Sequence, residues 1–192
     1  ADVQDLAWSP DDSMLASCSL DNTVIIWDAV KFVQLKTLRG HTSYVKGVCW
    51  DPLGKYFASQ SEDKTVIIWN KSDWSDEVVV RKPFLNSTGS TFFRRLSWSP
   101  DGQYISTTNA YKKPAHIAAI LSRDKNWEVT HDFVGHTAPI VVTRFNPVMF
   151  RKKGMSTDES SKDNSGFLTC CALGSQDTSV TVWNTLSSRP LV

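Results

Sequence analysis

Three landmarks recur along this 192-residue chain at a constant step. Trp8-Ser9-Pro10 returns as Trp50-Asp51-Pro52, Asp21 returns as Asp63, and Trp27 returns as Trp69, each 42 residues later. A third copy begins at Trp98-Ser99-Pro100 and a fourth at Phe145-Asn146-Pro147, which closes with Asp177 and Trp183. Self-similarity at such a period means that each copy is one supersecondary unit unable to bury its apolar face alone, so neighbouring copies must stack. Within a copy, short β-branched and aromatic runs alternate with turn residues. Val45-Lys46-Gly47-Val48-Cys49-Trp50, Tyr56-Phe57-Ala58-Ser59 and Thr65-Val66-Ile67-Ile68-Trp69 are separated by Asp51-Pro52-Leu53-Gly54 and Ser61-Glu62-Asp63-Lys64. That is hairpin punctuation, and no ordinary helix is expected.

A repeat of this length carrying Gly40-His41, Gly135-His136 and Trp27-Asp28 resembles the WD40 pattern, with four antiparallel strands per blade. The predicted fold is all-β, a WD40 β-propeller with about four blades of a seven-blade ring. The blades are expected over about 1–39, 40–86, 87–134 and 135–192 of a single partial domain. Because the first copy lacks Gly-His and the chain opens without Met, the sequence reads as a segment of a longer ring. Copy three has Tyr111 where Asp is expected and Ile117-Ala118-Ala119-Ile120-Leu121 in place of the Trp strand, which predicts a degenerate third strand. Copy four stretches from Pro147 to Asp177, and its polar residues 151–166 are expected to form a mobile loop between the first and second strands.

Composition narrows the function. The net charge of +1, from 21 basic and 20 acidic residues, does not oblige a nucleic-acid surface, and no sequence-specific DNA binding is expected. No apolar run suggests a membrane span. Cys18, Cys49 and the adjacent Cys170-Cys171 fit neither a disulfide framework nor zinc spacing, and read as buried reduced thiols of the cytosol or nucleus.

His41, Ser59 and Asp63 are the residue types of a hydrolase triad, yet with Trp69 they also fit a buried hydrogen-bond chain from indole to carboxylate. The set recurs in part as Ser17, Asp21 and Trp27, and as His136, Asp177 and Trp183. One active site does not need three copies, so the structural tetrad is preferred. No catalytic residue, cofactor or metal ligand is expected, with His116 and His131 taken as lone histidines.

Binding surfaces are the better expectation. In the first strand of each blade, Val3 and Leu6, Val45 and Val48, Phe93 and Leu96, and Ile140 and Thr143 are expected to be buried. Gln4, Lys46, Arg94 and Val141 are then expected to face the channel mouth, with Tyr44 and Phe92 beside them. Thr91-Phe92-Phe93-Arg94-Arg95 combines aromatics with paired guanidinium groups, which suits an acidic partner segment, although one Phe in the core and a solvated arginine rim would explain it too. Trp74 and Trp127, outside the blade pattern, are either partner anchors or caps on a blade edge. Arg151-Lys152-Lys153 reads as a solvated loop start, and Ser156 with Glu159 weakly fits acid-directed phosphorylation.

Several strings go beyond a generic blade. Asp21-Asn22-Thr23-Val24-Ile25-Ile26-Trp27, Trp50-Asp51-Pro52-Leu53-Gly54-Lys55-Tyr56, Arg95-Leu96-Ser97-Trp98-Ser99-Pro100-Asp101-Gly102, Asp132-Phe133-Val134-Gly135-His136 and Arg189-Pro190-Leu191-Val192 resemble the amino-terminal propeller of the HIRA family of histone chaperone subunits. The altered third copy and the insertion before Cys170-Cys171 resemble that family as well, and Phe93-Arg94-Arg95 its fungal members. The resemblance implies a nuclear, non-enzymatic scaffold for replication-independent nucleosome assembly and repression of histone genes. It also implies docking of a ubinuclein-type subunit among other chaperone-complex subunits, with histones reached indirectly. The propeller subunit of replication-coupled chromatin assembly factor is the nearest alternative. A generic adaptor such as a ubiquitin-ligase substrate receptor is another.

Overall fold

A computed structural model of the chain describes residues 1–87, 89–151, 167–185, 187 and 189–192. The Asp-, Pro- and Gly-rich turns close hairpins, and successive hairpins build four consecutive antiparallel sheets, one per repeat. The first joins β1 (Val3–Trp8), β2 (Met14–Ser19), β3 (Thr23–Asp28) and β4 (Val33–Arg39) in chain order. The second joins β5 (Val45–Trp50), β6 (Tyr56–Ser61), β7 (Val66–Asn70) and β8 (Asp76–Val80), followed by a 3-10 turn at Lys82–Phe84. The third contains β9 (Ser97–Trp98), β10 (Tyr104–Ser106), β11 (Ala110–Lys112), β12 (Ala115–Ser122) and β13 (Glu128–His136).

In the fourth, β14 (Ile140–Phe145) is followed by β15 (Phe150–Arg151) and β16 (Phe167–Leu168), which among the described residues pair only with each other, and by β17 (Cys170–Ser175) and β18 (Val180–Asn184). The end of the chain lies beside β18, where Val182 N–H donates to Val192 O (2.9 Å) and Leu191 N–H to Val182 O (2.7 Å). The expected mobile loop lies almost wholly outside the described residues, as do Lys152, Lys153, Ser156 and Glu159.

The core lies between sheets rather than inside any one of them. Ala16, Cys18, Val24 and Ile26 of the first blade meet Val48, Trp50, Phe57, Ile67 and Trp69 of the second. The other face of the second blade meets Leu96, Trp98, Ile105, Ile117 and Ala119, and Ala118, Ile120 and Phe133 meet Ile140, Phe145, Cys171 and Trp183. Alternation of side chains across each strand supplies both faces, which is why β5 and β6 are buried along their whole length. Trp50 Nε1–H donates to Ala7 O across the first seam (2.9 Å), and Arg95 bridges Val142 in parallel across the third.

Three expectations require correction. The third strand of blade three is not degenerate: β12 spans eight residues and is mostly buried. The second strand is the interrupted one, split into β10 and β11 around Thr107-Thr108-Asn109. Buried Gln60 of blade two causes the break by capturing Thr108, accepting from its amide (3.2 Å) and hydroxyl (3.0 Å) and donating to its carbonyl (2.6 Å). Second, Val3 and Leu6 are each 57% exposed, because no sheet lies opposite that face of β1 among the described residues. Phe93 is also largely exposed, with the Arg95 guanidinium 4.5 Å from its ring centre. Third, Cys170 is only half-buried, whereas Cys18, Cys49 and Cys171 are buried as expected and all four are free thiols.

Candidate functional site: buried tetrads and a docking surface

In blade two the four expected residues form one chain of bonds. Trp69 Nε1–H donates to Ser59 Oγ (2.9 Å), Ser59 Oγ lies 2.8 Å from His41 Nε2, and His41 Nδ1 lies 2.9 Å from Asp63 Oδ2. A carboxylate can only accept, so Nδ1 carries the proton and Nε2 accepts from the serine hydroxyl. Asp63 also takes the Thr42 amide, the Thr65 amide and the Thr65 hydroxyl. Burial pushes the Asp63 carboxyl up, but the His41, Thr65 and Thr42 hydrogen bonds more than reverse this and hold it at about 2. Ser59 is fully buried and bonded on both sides, so the triad-like set presents no nucleophile to solvent.

Blade one holds part of the same set, with Trp27 Nε1–H donating to Ser17 Oγ (2.9 Å) while Asp21 takes the Thr23 amide and hydroxyl. Blade four completes a tetrad by a different route. His136 Nδ1 lies 3.0 Å from Asp177 Oδ2, and both His136 Nε2 and Trp183 Nε1 lie 2.9 Å from the hydroxyl of Thr181. In blade two the cross-strand pair is Ser59 with Ile67, and at the matching register blade four pairs Leu173 with Thr181. The hydroxyl has changed strands while the pair has kept one polar and one apolar member. The sequence signal was the Thr two residues before Trp183, coupled to a Leu where a Ser was expected.

The expected docking residues separate into three groups. Arg94 and Lys46 are buried rather than open to a partner. Arg94 is 2% exposed, and with the Asn109 amide turned to satisfy both groups, its oxygen accepts from Nη2 (2.9 Å) and Nη1 (3.1 Å). Burial pulls its pKa down, and the charges of Glu62 and Asp63 oppose this. Lys46 is buried too, with Nζ 2.7 Å from Glu62 Oε2 and 2.7 Å from Thr91 O. Trp127 is 3% exposed, wedged edge-on against Tyr56 and Trp98 at 5.5 and 5.4 Å with the Arg123 guanidinium beside it. Arg123 in turn bonds the buried Asp51 at 2.7 Å. Trp74 is half-buried and meets Trp50 edge-on at 6.0 Å. Both tryptophans therefore close blade seams, because burying a large ring there removes far more apolar surface from water than leaving it at a tip.

What stays at the surface is aromatic. Phe92 is 81% exposed, with Phe93 and Tyr44 also open. Lys46 Nζ sits 5.7 Å from the centre of the Tyr44 ring while holding Thr91 O, so Tyr44 and the 91–93 segment flank one buried ammonium. Arg95 is half-exposed, but its Nε lies 3.2 Å from Asp5 Oδ1, whose carboxyl burial raises although the Val48 amide and Arg95 counter it. An acidic partner would thus find its expected cations already committed.

His116 stands 5.0 Å from the Tyr111 ring and His131 5.4 Å from Phe133, and no metal-ligating cluster occurs among the described residues.

Residues 1–28 and 32–70 match the WD domain, G-beta repeat family. The chain is 49% identical over all 192 residues to a protein named HIR1 of Cryptococcus neoformans, 51% to protein HIRA of Gallus gallus and 50% to protein HIRA of Homo sapiens. It covers 21%, 18% and 19% of those proteins, about a fifth of their length. Repeat, blades and full-length identity agree: the chain belongs to the HIRA family, as part of its WD40 region.

Proposed function

We propose that this chain is a non-catalytic docking scaffold of a HIRA-type histone chaperone assembly, acting in the nucleus in replication-independent nucleosome deposition and histone-gene repression. The observation that carries the reading is identity of about 50% along the entire chain to proteins named HIRA and HIR1. The buried, fully bonded tetrads support a structural use for the triad-like residues. Docking of a ubinuclein-type subunit and other chaperone-complex subunits is assigned to the Tyr44, Phe92 and Phe93 surface, with apolar contact supplying the affinity. Histones are reached through those subunits, and neither sequence-specific DNA reading nor membrane attachment is part of the role.

The test is affinity purification of the full-length protein with mass spectrometry, beside a variant carrying Tyr44→Ser and Phe92→Ser. Recovery of a ubinuclein-type subunit and histones by the parent, reduced about tenfold in the variant, is the expected result. A cullin adaptor in place of those proteins, or undiminished recovery by the variant, would overturn it.

A further inference from the structure

A cleft of about 730 Å³ opens on the outer side of the seam between the second and third blades, bounded by their outermost strands β8 and β13. Its floor is apolar, with Val78 and Val80 from β8, Ile117 from β12 and the buried Trp127. β8 is the last strand of its sheet and has no partner on its outer edge among the described residues, so that edge offers a row of backbone donors and acceptors.

The rim is polarised. Arg81 and Lys82 leave β8 at one end, both exposed and without an ion pair among the described residues. Lys112 lies at that end too and is engaged with Asp132 at 3.2 Å. Glu128 opposes Ser122, at the end of β12 remote from Lys112, which opposes Ala115. The cleft therefore runs from two free cations, over apolar side chains, to a free carboxylate.

We infer that this cleft takes an extended peptide that adds a strand to the edge of β8, with a carboxylate at the Arg81–Lys82 end and apolar side chains over Val78, Val80 and Trp127. Backbone pairing on an open edge supplies affinity, alternate side chains entering the apolar floor supply selection, and the rim charges fix direction. Glu128 at the far end disfavours a uniformly anionic ligand such as a nucleic-acid backbone. The inference is independent of the Phe92 surface, since the two share no residue.

The probe is a short synthetic peptide of alternating valine and threonine with two aspartates at one end, made in both chain directions and titrated by fluorescence anisotropy against the full-length protein. One direction is expected to bind, to protect the Val78–Val80 amides from hydrogen exchange, and to lose at least about tenfold in affinity with Arg81→Glu and Lys82→Glu. Both substitutions lie on exposed side chains, and circular dichroism of the variant is expected to be unchanged. Phe92→Ser is expected to leave peptide binding intact. Equal binding by a peptide ending in two lysines, binding unaffected by the charge reversal, tighter charge-dependent binding of a DNA duplex, or no binding in either direction would overturn it.

Discussion

Thr181 shows how a buried hydrogen-bond chain tolerates a change of origin so long as one hydroxyl reaches both a histidine and an indole. Its oxygen occupies the role of Ser59 from the facing strand, and Leu173 is the buried apolar member of the pair, as Ile67 is in blade two. Thr181→Val keeps the shape but strands Trp183 Nε1 and His136 Nε2, so about 1–3 kcal/mol per orphaned group is expected from denaturant unfolding. Adding Leu173→Ser to Thr181→Ile rebuilds the blade-two arrangement and is expected to recover most of the loss, whereas simple additivity of the two costs would refute the exchange. Asp63 gives a pH signature. Its carboxyl falls from 3.8 to about 2 on folding, which contributes on the order of 2 kcal/mol that is present above about pH 4 and lost as pH falls toward 2. Asp177 is shifted in the same direction, and Asp5, which burial raises, gives a slope of opposite sign in acid. Asp63→Asn is therefore expected to lower the melting temperature at pH 7 and flatten its decline between about pH 4 and pH 2. An unchanged melting temperature would count against the tetrad as a structural device.

At the scale of elements, the seams are held by a few close approaches. A Cβ on Gly47 would overlap the Arg94 carbonyl, so β5 and the segment leading into β9 meet only because position 47 carries no side chain. Gly47→Ala is expected to cost about 1–3 kcal/mol or more, since backbone on one side and β5 on the other cannot both yield. Gln60 performs the complementary polar task at the same seam, and Gln60→Leu leaves the Thr108 amide and carbonyl buried without partners. Thermal unfolding is expected to show that variant destabilised by a further 1–3 kcal/mol or so per group. The strands themselves were legible, because period-two alternation and Asp-Pro-Gly turns are local signals. The split of the second strand of blade three was not, since Thr107-Thr108-Asn109 is compatible with a strand until Gln60, 48 residues earlier, competes for its backbone.

Across the whole molecule, the sequence by itself determined that there would be four blades, where the hairpins turn, and which Asp, His, Ser and Trp would join in blade two. Those features follow from periodicity and from residue chemistry that acts over a few positions. It also carried the HIRA likeness through its irregular third copy and its insertion. Only the tertiary structure decided the surface. The string Phe92-Phe93-Arg94-Arg95 looks the same whichever side chain turns inward, and the packing against Gly47 and Asn109 buries Arg94 while leaving Phe92 open. The same holds for Lys46, for Trp127 and for the cleft beside β8, because solvent exposure is a property of neighbouring sheets brought together. A cation or an aromatic ring in a sequence states what it can bind, and the facing blade determines whether that capacity is spent inside the fold or left for a partner.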